Sequence, residues 1–555
     1  MENISHWLLD IVDEILKRND EHIVINTGKT TSGRIHIGIM RELIISDALY
    51  RILKNMGKNV IFTFFIDDFD PAKHFPSYVP KEFEKYLGMP FSDIPDPYGC
   101  HRSYGEHFAM ELIETFPDFG LNPKIVWTSK FYESREMKNA VRVALRNVDK
   151  IRKIYEKYVA PTLGPEQKEK YIEQLKTWMP ASVVCEKCGK LQLVKERKIM
   201  PNRVQKYDPE ADTVTYKCNA CGYEKTDKLD NLRVKLTWRV DWPAKWSVMK
   251  VSCEPAGKDH CVKGGAYDTG LEIAKEVFGY RGPVKVPYEW IRLGERDMKT
   301  HKGIVFTPKE FLEIAWPEIL RYVILRTHPM KSISVRPENL PQLIDDFERF
   351  EKIFYDEIDA DDETKRLVKF LYPLVMPNEN ISQRPIRLPF RFAIIMAQLE
   401  SLLGEEKVLE KCVQVIKKIY KDIEIDAHSE YVLSSIKKTL HLAKNWVEQF
   451  GPEQYKIVIT EDVEDIKKKL SEAQKAGLEK LLQIFKEKRL SGEEIQALIF
   501  EIGRNTEGLT VKQIFEAIYL VILNKKFGPR VGPLIEALGQ EWFISRLEKI
   551  LEKKG

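Results

Sequence analysis

Residues 22–56 read HIVINTGKTTSGRIHIGIMRELIISDALYRILKNM, and no other part of the chain says as much about its architecture. The apolar run His22–Gly28 is typical of a buried parallel strand. The segment Arg41–Met56 has the apolar spacing of a helix, which we expect to end before Gly57. A strand, a loop of small residues and a helix place free backbone N–H groups and the positive end of a helix dipole against phosphate. The sequence therefore predicts an α/β domain with an anion site at this loop.

The loop carries His36 and Gly38 directly before the predicted helix. The imidazole of His36 can donate a hydrogen bond to phosphate. Gly38 has no Cβ, so an adenine ring can lie close to the backbone there. The alternative is an ordinary strand–loop–helix connection in which His36 only caps the helix, since such loops are common in α/β proteins.

The composition indicates a globular protein of several domains. The chain has 555 residues, 43% of them hydrophobic and 31% charged, and no apolar run approaches the ~18 residues of a membrane helix. The amphipathic, acidic segment Met1–Lys17 is unlike a signal or transit peptide. We therefore expect a soluble cytoplasmic protein with no membrane partner. A net charge of +4 does not by itself indicate nucleic-acid binding, although a local basic face would suffice for it.

Strand-like and helix-like runs alternate through the first part of the chain. Asn59–Ile66 and Lys124–Trp127 are predicted as further buried strands, and strand-like sequence returns between about Leu236 and Pro308. Successive βα units predict a doubly wound parallel sheet with its site at the carboxyl ends of the strands. Beyond Glu310 the pattern changes to long amphipathic helices, so we expect a helical half to follow the nucleotide-binding half.

Two Cys-x-x-Cys pairs give the most specific metal signal, namely Cys185 with Cys188 and Cys218 with Cys221. A glycine follows each pair and permits the left-handed backbone that turns both thiolates towards one ion. Four thiolates favour tetrahedral Zn²⁺ in a structural role. Iron–sulfur ligation and a redox dithiol are the alternatives. Residues 204–214, between the two pairs, are predicted to form a small hairpin.

Residues 96–107 bring an acid, a thiol and two imidazoles into one short segment. Asp96, Cys100 and His101 can share a loop and meet His107 on the helix that follows. All four side chains are suitable zinc ligands, so a second Zn²⁺ site is predicted here. The alternative is a polar loop in which His107 only caps the helix or packs against it.

Aromatic, acidic and glycine residues interleave in three segments, 238–243, 254–260 and 264–270. A compact polar pocket requires this mixture of side chains. Trp238 and Tyr267 are suited to hold the aliphatic stem and the cationic end of a ligand side chain, partly by cation–π contact. The alternative is that the aromatic residues belong to the core, which we predict for Trp246.

Residues 295–303 form a charged loop ahead of an apolar run. Lys299 and Lys302 are placed to neutralise the charge that develops when a pyrophosphate group leaves. A basic surface loop is the alternative.

Together these motifs resemble the class I lysyl-tRNA synthetases of the archaeal type. The resemblance is specific over the first three-fifths of the chain and looser over the helical remainder. It implies a Rossmann-like α/β catalytic domain with a zinc-binding insertion, followed by an α-helical C-terminal region that binds tRNA. It also implies that the protein activates L-lysine with ATP and Mg²⁺ and transfers the lysine to tRNA(Lys).

The resemblance and the changes of pattern together give five expected segments. They are a first Rossmann half with the His36 motif (1–130), an insertion with a zinc ribbon (131–235), a second Rossmann half with the Lys302 loop (236–309), a connective segment (310–355) and a helical anticodon-binding region (356–555).

The resemblance also implies roles for individual residues. His36–Ile39 stands at the position of the family's HIGH motif, and Met298–Gly303 stands where the family has its KMSKS loop. The residues implied to be catalytic are His36, Gly38, Lys299 and Lys302. Those implied to bind ATP are Ile37, Gly38, Gly270, Met298 and Lys302. Those implied to hold the lysine are Gly28, Thr30, Trp238, His260 and Tyr267. The cluster of residues 96–107 is compatible with a further zinc site of the family.

The KMSKS-like loop departs from the family pattern, because Asp297 replaces the usual first lysine and the serines are missing. A glutamyl- or glutaminyl-type class I synthetase is an alternative because that subgroup shares much of the architecture, although its pocket should present a convergent arginine and only Arg239 is a candidate. A catalytically inactive tRNA-binding paralogue would account for the altered loop but not for the retained His36 and Lys302. A zinc-ribbon nucleic-acid module would explain one segment alone.

Overall fold

The computed structural model describes residues 4–196, 198–294, 305–378, 380–421, 426, 428–459 and 462–552. The chain divides into two compact units. Unit 1 comprises Met1–Leu312, Trp316–Val335 and Arg349–Ile381, and unit 2 comprises Glu313–Ala315, Arg336–Glu348 and Ser382–Gly555. All the strands of the described residues lie in unit 1.

The secondary structure is numbered in chain order. The strands are β1 Ile23–Lys29, β2 Val60–Ile66, β3 Lys124–Trp127, β4 Ala181–Val183, β5 Gln192–Lys195, β6 Lys198–Pro201, β7 Val204–Asp208, β8 Thr213–Lys217, β9 Glu224–Lys228, β10 Val234–Leu236, β11 Cys253–Gly257, β12 Val284–Tyr288, β13 Ile291–Leu293 and β14 Ile333–Val335. The first helices are α1 Trp7–Leu16, α2 Met40–Asn55, α3 Tyr104–Ile113, α4 Thr128–Phe131, α5 Arg135–Arg146, α6 Val148–Tyr158, α7 Pro165–Leu175, α8 Trp238–Met249, α9 Lys258–Cys261, α10 Ala266–Glu276, α11 Pro308–Leu312 and α12 Pro317–Arg326. The remaining helices are α13 Leu340–Phe354, α14 Asp362–Val375, α15 Phe390–Leu403, α16 Glu405–Ile419, α17 Glu430–Phe450, α18 Val463–Lys469, α19 Glu472–Glu487, α20 Gly492–Asn505, α21 Val511–Leu523, α22 Val531–Leu538 and α23 Gln540–Leu551.

Five parallel strands form the central sheet of unit 1, in the order β12–β11–β1–β2–β3. β1 pairs with β2 along its whole length and with β11 at Ile25 and Cys253. The chain continues from β1 towards one edge of the sheet and from β11 towards the other edge. Ligands of open α/β sheets bind where the strand order reverses in this way, so the crevice between β1 and β11 is the expected site. The predicted doubly wound sheet is confirmed.

The helix after β1 is buried on almost all of its faces. Its Arg41 side chain is fully buried and donates to the backbone carbonyls of Glu289, His328 and Lys331 at 2.7 to 3.1 Å. A buried guanidinium is tolerated only when its N–H groups find such partners. Arg41 therefore fixes the start of α2 relative to the segment that follows β12.

A set of short antiparallel strands forms the insertion between β3 and β11. β4 and β10 pair from Ala181 with Leu236 to Val183 with Val234, so the chain enters and leaves the insertion side by side. Between them lie the β5–β6 hairpin and the three-stranded β7–β8–β9 sheet. The hairpin predicted over residues 204–214 is present as β7 and β8. One apolar cluster joins side chains of α5, α6, β4, β8 and β10.

Unit 2 contains only helices and loops within the described residues, as the amphipathic pattern predicts. Capping boxes start three of its helices, at Ser471, Ser491 and Thr510. Gly503 allows close packing, because a Cβ there would lie 2.6 Å from the Cα of Val511. Nowhere in the described ranges is a helix long and apolar enough to cross a membrane.

Candidate active site and metal centres

The segment predicted to contact phosphate lies at the carboxyl end of β1, where Ile37–Ile39 forms one 3₁₀ turn ahead of α2. His36 caps this turn, and its Nδ1 accepts the backbone N–H of Gly38 at 3.1 Å. Burial, followed by the positive charge of Lys29, lowers the pKa of His36 to about 4. The imidazole is therefore neutral near pH 7, and because Nδ1 is the acceptor, the proton is on Nε2. His36 offers an Nε2–H donor.

Gly38 is required by the imidazole itself. A Cβ at this position would lie 2.7 Å from both Nδ1 and Cε1 of His36. The neighbouring Ile37 is fully buried, and its backbone N–H donates to the carbonyl of Phe306 at 2.7 Å. This hydrogen bond ties the turn to the segment that follows residues 295–304.

A buried carboxylate lies on the first turn of α2. Glu42 accepts hydrogen bonds from Thr27 Oγ1 on β1, at 2.5 Å, and from the hydroxyl of Tyr288 at the end of β12. Burial is the main reason that the pKa of Glu42 rises to about 7, and the nearby charge of Glu254 adds to it. Three elements of the sheet face thus converge on one acid that is easily protonated.

A second buried carboxylate organises the tryptophans of α8. Glu254 accepts from Asn26 Nδ2 at 2.8 Å, from Trp242 Nε1 at 2.6 Å and from Trp246 Nε1 at 2.7 Å. Burial raises the pKa of Glu254 despite these donors. Trp246 has no exposed surface, which confirms its predicted place in the core.

The exposed side of this aromatic group is formed by Trp238 and His260. Trp238 begins α8 and is 46% exposed. Its ring centroid lies 5.6 Å from that of His260, which in turn lies 5.8 Å from Trp242. Desolvation against the indoles lowers the pKa of His260, and the charges of Arg239 and Lys29 lower it further. The two aromatic side chains form an open wall suited to an aliphatic stem.

Tyr267 is placed behind this wall. It is completely buried on α10, 5.2 Å from the ring of Trp242. Its hydroxyl donates to the backbone carbonyls of Glu254 and Val284. The structure therefore gives Tyr267 a packing position, whereas Tyr288 presents its hydroxyl to Glu42.

The predicted glycines serve close packing in this structure. A Cβ at Gly28 would lie 3.1 Å from Phe65 Cβ on the neighbouring strand. A Cβ at Gly270 would lie 3.0 Å from the ring of Trp246, so Gly270 lets α10 approach α8.

Thr30 belongs to a buried ionic network. Its Oγ1 donates to Asp70 Oδ2 at 3.0 Å, and Asp70 Oδ1 lies 3.0 Å from Lys235 Nζ on β10. Lys235 and Lys245 share Asp241, at 3.3 and 3.1 Å. This network connects the loop after β1 to the last strand of the insertion.

The four cysteines of the insertion meet at one point. Their sulfur atoms lie within 4.8 Å of one another, with 3.6 Å between Cys185 and Cys221 and between Cys188 and Cys218. Zinc–sulfur bonds of about 2.3 Å in a tetrahedron require sulfur atoms roughly 3.8 Å apart, so the group fits Zn²⁺.

The two knuckles of this cysteine cluster have the same backbone. Gly189 and Gly222 both have positive φ, +72° and +74°, as the sequence predicts. In each knuckle the glycine N–H donates to the carbonyl of the first cysteine, Cys185 or Cys218. The N–H of Tyr223 is the main reason that the pKa of Cys221 falls to about 7. Burial raises the pKa of Cys185 and Cys188 instead, so a bound metal ion would be needed to hold these two side chains as thiolates.

The second predicted cluster is also assembled. Asp96, Cys100, His101 and His107 place ligand atoms within 4.8 Å of one another. Cys100 Sγ lies 3.1 Å from His101 Nδ1 and 3.3 Å from His107 Nδ1, and Asp96 Oδ1 lies 3.2 Å from His107 Nδ1. One thiol, two imidazoles and a carboxylate form a suitable donor set for Zn²⁺.

A chain of charges leads from this second cluster to the signature loop. His107 Nε2 lies 3.7 Å from Glu111 Oε1, and Glu111 Oε2 lies 3.8 Å from Arg34 Nε. Arg34 Nη2 lies 3.3 Å from Glu310 Oε1 on α11. A carboxylate beside the outer nitrogen of a ligating imidazole orients its ring.

The predicted lysine-rich loop lies outside the described residues. Met298, Lys299 and Lys302 therefore stay predictions. The structure describes the chain again from Val305, where Phe306 and Glu310 contact the His36 segment as above.

A family model described as tRNA synthetases class I (K) matches residues 5–377. The chain belongs to this family of class I synthetases. A model of an anticodon binding domain matches residues 408–551 of the same synthetase chain, within the helical unit 2.

Curated relatives of this synthetase cover nearly the whole chain. The lysine–tRNA ligase of Methanocaldococcus jannaschii is 34% identical over 98% of this chain and 99% of its own. That of Methanococcus maripaludis is 35% identical, also over 98% and 99%. A solved glutamate tRNA ligase from Elizabethkingia meningosepticum covers 96% of this chain at 13% identity with a TM-score of 0.36, which is too low to bear on the substrate.

Three side chains at the synthetase crevice were not predicted from the sequence: Glu42, Tyr288 and Lys29. Tyr288 and Lys29 are the last residues of β12 and β1, and Glu42 is on the first turn of α2. Sites of doubly wound sheets lie at these strand ends, so this rule, applied residue by residue, would have found two of the three.

Proposed function

We propose that this synthetase activates L-lysine with ATP and transfers the lysine to tRNA(Lys). The observation that carries the proposal is Glu42, a buried carboxylate held by Thr27 and Tyr288 at the crevice between β1 and β11. A cationic side chain is the natural counterpart of a buried acid, because a charge in such surroundings needs a partner of opposite sign. The similar proteins named lysine–tRNA ligase support the same substrate.

The side chain of the lysine substrate would lie between the aromatic wall and the carboxylates of Glu42 and Glu254. Trp238 and His260 would cover its methylene groups, and Glu42 with the hydroxyl of Tyr288 would bind its ammonium group. Gly28 and the backbone of Thr30 would line the strand end where the α-carbon sits. Tyr267 supports this pocket by packing behind Trp242.

Activation needs little covalent chemistry from the protein. The lysine carboxylate attacks the α-phosphorus of ATP in line, and pyrophosphate leaves, so positioning and charge neutralisation supply the rate. His36 would donate from Nε2–H to a phosphate oxygen, and the backbone around Gly38 would bind the nucleotide. Mg²⁺ bound with ATP would supply further positive charge. Met298, Lys299 and Lys302 are proposed to act on the leaving pyrophosphate.

Both clusters are proposed to hold Zn²⁺. Cys185, Cys188, Cys218 and Cys221 fill a tetrahedron completely, which supports a structural role in the insertion. Asp96, Cys100, His101 and His107 form a second full set beside α3. Each ion would stabilise its loop by replacing several weak contacts with four ligand bonds.

The helical residues 356–555 are proposed to bind the anticodon part of tRNA(Lys), which the match to an anticodon binding domain supports. The glutamyl-type alternative is disfavoured by the crevice, because a glutamate side chain would face the carboxylates of Glu42 and Glu254. The guanidinium of Arg239 lies over the ring of Trp238 at 5.3 Å, and the exchange assay below tests whether it serves a glutamate substrate.

ATP–pyrophosphate exchange with each of the twenty amino acids, in the presence and absence of total tRNA, tests this function. Lysine-dependent exchange is expected. Exchange that depends on glutamate would overturn the substrate, and folded, zinc-loaded protein without any exchange would identify a tRNA-binding paralogue without catalysis.

A further inference from the structure

Lys29 is a cation of the crevice to which the proposed activation reaction gives no role. Lys29 is the last residue of β1, and its backbone carbonyl accepts the N–H of Asp67 at 2.9 Å. Its side chain is half-buried at the strand end where the sheet order reverses. It follows Gly28 and precedes Thr30, in the loop that leads to His36.

The charge of Lys29 interacts with four titratable groups of the crevice. It lowers the pKa of His36 in the signature turn and that of His260 in the aromatic wall. Burial lowers the pKa of Lys29 itself, while the carboxylates of Glu42 and Asp67 oppose that effect. The ammonium group thus interacts electrostatically with residues of α2, α9 and the loops after β1 and β2.

The two acids that face Lys29 are already engaged by other donors. Glu42 accepts from Thr27 and Tyr288. Asp67 accepts from Lys245 Nζ at 2.5 Å and from Thr128 Oγ1 at 2.8 Å. Among the residues that the structure describes, no carboxylate oxygen lies within 4.0 Å of Lys29 Nζ. A partly desolvated ammonium without an ion pair is costly unless a ligand supplies the anion.

We propose that Lys29 is a further catalytic residue, whose ammonium group binds the anionic oxygens that meet during activation, the amino-acid carboxylate and the α-phosphate of ATP. The inference rests on the proposed function, which brings these two groups to the end of β1. Lys29 donates hydrogen bonds and keeps its proton. The new bond joins a carboxylate oxygen to the α-phosphorus, the bond from that phosphorus to the bridging oxygen breaks, and pyrophosphate leaves with the electron pair.

The charge balance of the chain supports this role. One carboxylate and one polyphosphate come together during activation, and the KMSKS-like segment of the sequence has Asp297 in place of the usual first lysine. Lys29 supplies one positive charge on a rigid strand, close to the His36 donor.

The test compares wild type, Lys29→Met, Lys29→Arg and the control Lys285→Met. Lys285 lies on β12 and is paired with Asp268 at 2.8 Å, so its removal takes away a charge from the same sheet without touching the crevice. Two binding probes separate the roles: L-lysine, and L-lysinol, which has the same side chain and amine but no carboxylate. Binding is measured by calorimetry, and kcat and KM by ATP–pyrophosphate exchange.

Lys29→Met is expected to weaken L-lysine binding and to lower kcat by at least tenfold each, while L-lysinol binds as it does to wild type. Lys29→Arg should recover part of both, and Lys285→Met should match wild type. Equal loss for lysine and lysinol would show a structural role and overturn the proposal, as would unchanged lysine binding with unchanged kcat.

If the proposed function is wrong, the wild-type protein itself will lack lysine-dependent exchange, which distinguishes that failure from a failure of the Lys29 proposal. If wild type exchanges with another amino acid, the same comparison is made with that amino acid and its amino alcohol, since the carboxylate is common to all. If wild type exchanges with none, binding of Mg–ATP decides: a tenfold loss in Lys29→Met supports the phosphate contact, and no loss overturns it.

Discussion

His36 Nδ1 lies 3.1 Å from the backbone nitrogen of Gly38, and this one hydrogen bond determines which imidazole nitrogen holds the proton. The residue two positions along the chain thereby sets the chemistry of the signature histidine. With Nδ1 occupied, and with the pKa of His36 lowered to about 4 by burial, the ring is a neutral donor throughout the physiological range.

The variant His36→Asn separates two roles of His36, the cap of the 3₁₀ turn and the hydrogen-bond donor to phosphate. His36→Asn keeps an oxygen that can accept the N–H of Gly38, since Asn is a good N-cap, but it has nothing in place of Nε2–H. We expect kcat of lysine-dependent exchange to fall by about 10²- to 10³-fold, the usual effect of removing one donor to a developing charge. The melting temperature should not change. A loss of fold, or full activity, would contradict this role.

Gly38→Ala should reduce exchange although it leaves the chemical identity of every proposed substrate-binding side chain unchanged. The new Cβ would lie 2.7 Å from two atoms of the imidazole and displace it. Gly164→Ala is the matched control, because a Cβ there meets no heavy atom within 4 Å. The exchange rates of the two variants are compared with wild type at a saturating lysine concentration. Equal rates for Gly38→Ala and Gly164→Ala would show that the imidazole tolerates displacement.

Glu42 should make the protein less stable as pH rises, which is the opposite of the usual effect of a carboxylate. Its folded pKa of about 7 lies above the ordinary value of 4.5, so folded Glu42 holds a proton that unfolded Glu42 loses. The free energy of unfolding therefore falls as pH rises from 4.5 to 7, by on the order of 3 kcal/mol from this group. Glu42→Gln should raise the melting temperature at pH 8 more than at pH 5.

The same substitution should impair lysine binding at every pH, and the KM of wild type for lysine should rise as pH falls below 7. Glu272→Gln is the control, because its hydrogen bond to Lys157 lowers the pKa of Glu272. The control should gain no stability at high pH. If Glu42→Gln were no more stable at pH 8 than wild type, Glu42 would have an ordinary pKa.

Metal analysis should find two zinc ions per chain. Cys218→Ser should remove one of them and lower the melting temperature, because the ion links two knuckles across the insertion. His107→Asn should remove the other, and Cys412→Ser should remove neither, since Cys412 is a buried lone thiol on α16. Two ions in either ligand variant would refute the assignment of that cluster.

The ion pair between Arg34 and Glu310 should matter more for turnover than for stability. Both side chains are about a third exposed, so the pair contributes at most about 1 kcal/mol to folding. It joins the signature loop to the segment that follows residues 295–304. Arg34→Gln and Glu310→Gln should each lower kcat several-fold, and the double variant should lose no more than either single one. Additive losses would exclude a coupled pair.

The local patterns of the sequence predicted the first strand, the helix after it and both cysteine knuckles, because each depends on residues close in the chain. Gly189 and Gly222 adopt the left-handed conformation for the reason that their position after Cys-x-x-Cys suggests. Such features are determined by backbone geometry over a few residues.

Glu42, the acid of the proposed lysine pocket, could not be predicted from local sequence patterns. Glu42 and Tyr288 are 246 residues apart, and the sheet order β12–β11–β1 brings one beside the other. The sequence does not distinguish the roles of Tyr267 and Tyr288. In the structure Tyr267 lies on α10 and packs inwards, while Tyr288 ends β12. The distinction between core and site thus depended on topology, which composition and spacing do not contain.

The pairing of β4 with β10 has a consequence for how this protein can change. Because the two strands lie side by side, the whole cysteine-bearing segment starts and finishes at one point of the larger fold. Residues 184–233 therefore form a modular appendage, which could be shortened, exchanged or grafted without altering the order of strands in the main sheet. The constraints on such grafts are Lys235, whose link through Asp70 to Thr30 must survive at the junction, and the contacts of Leu191 and Arg233 with Gly88 and Asp93.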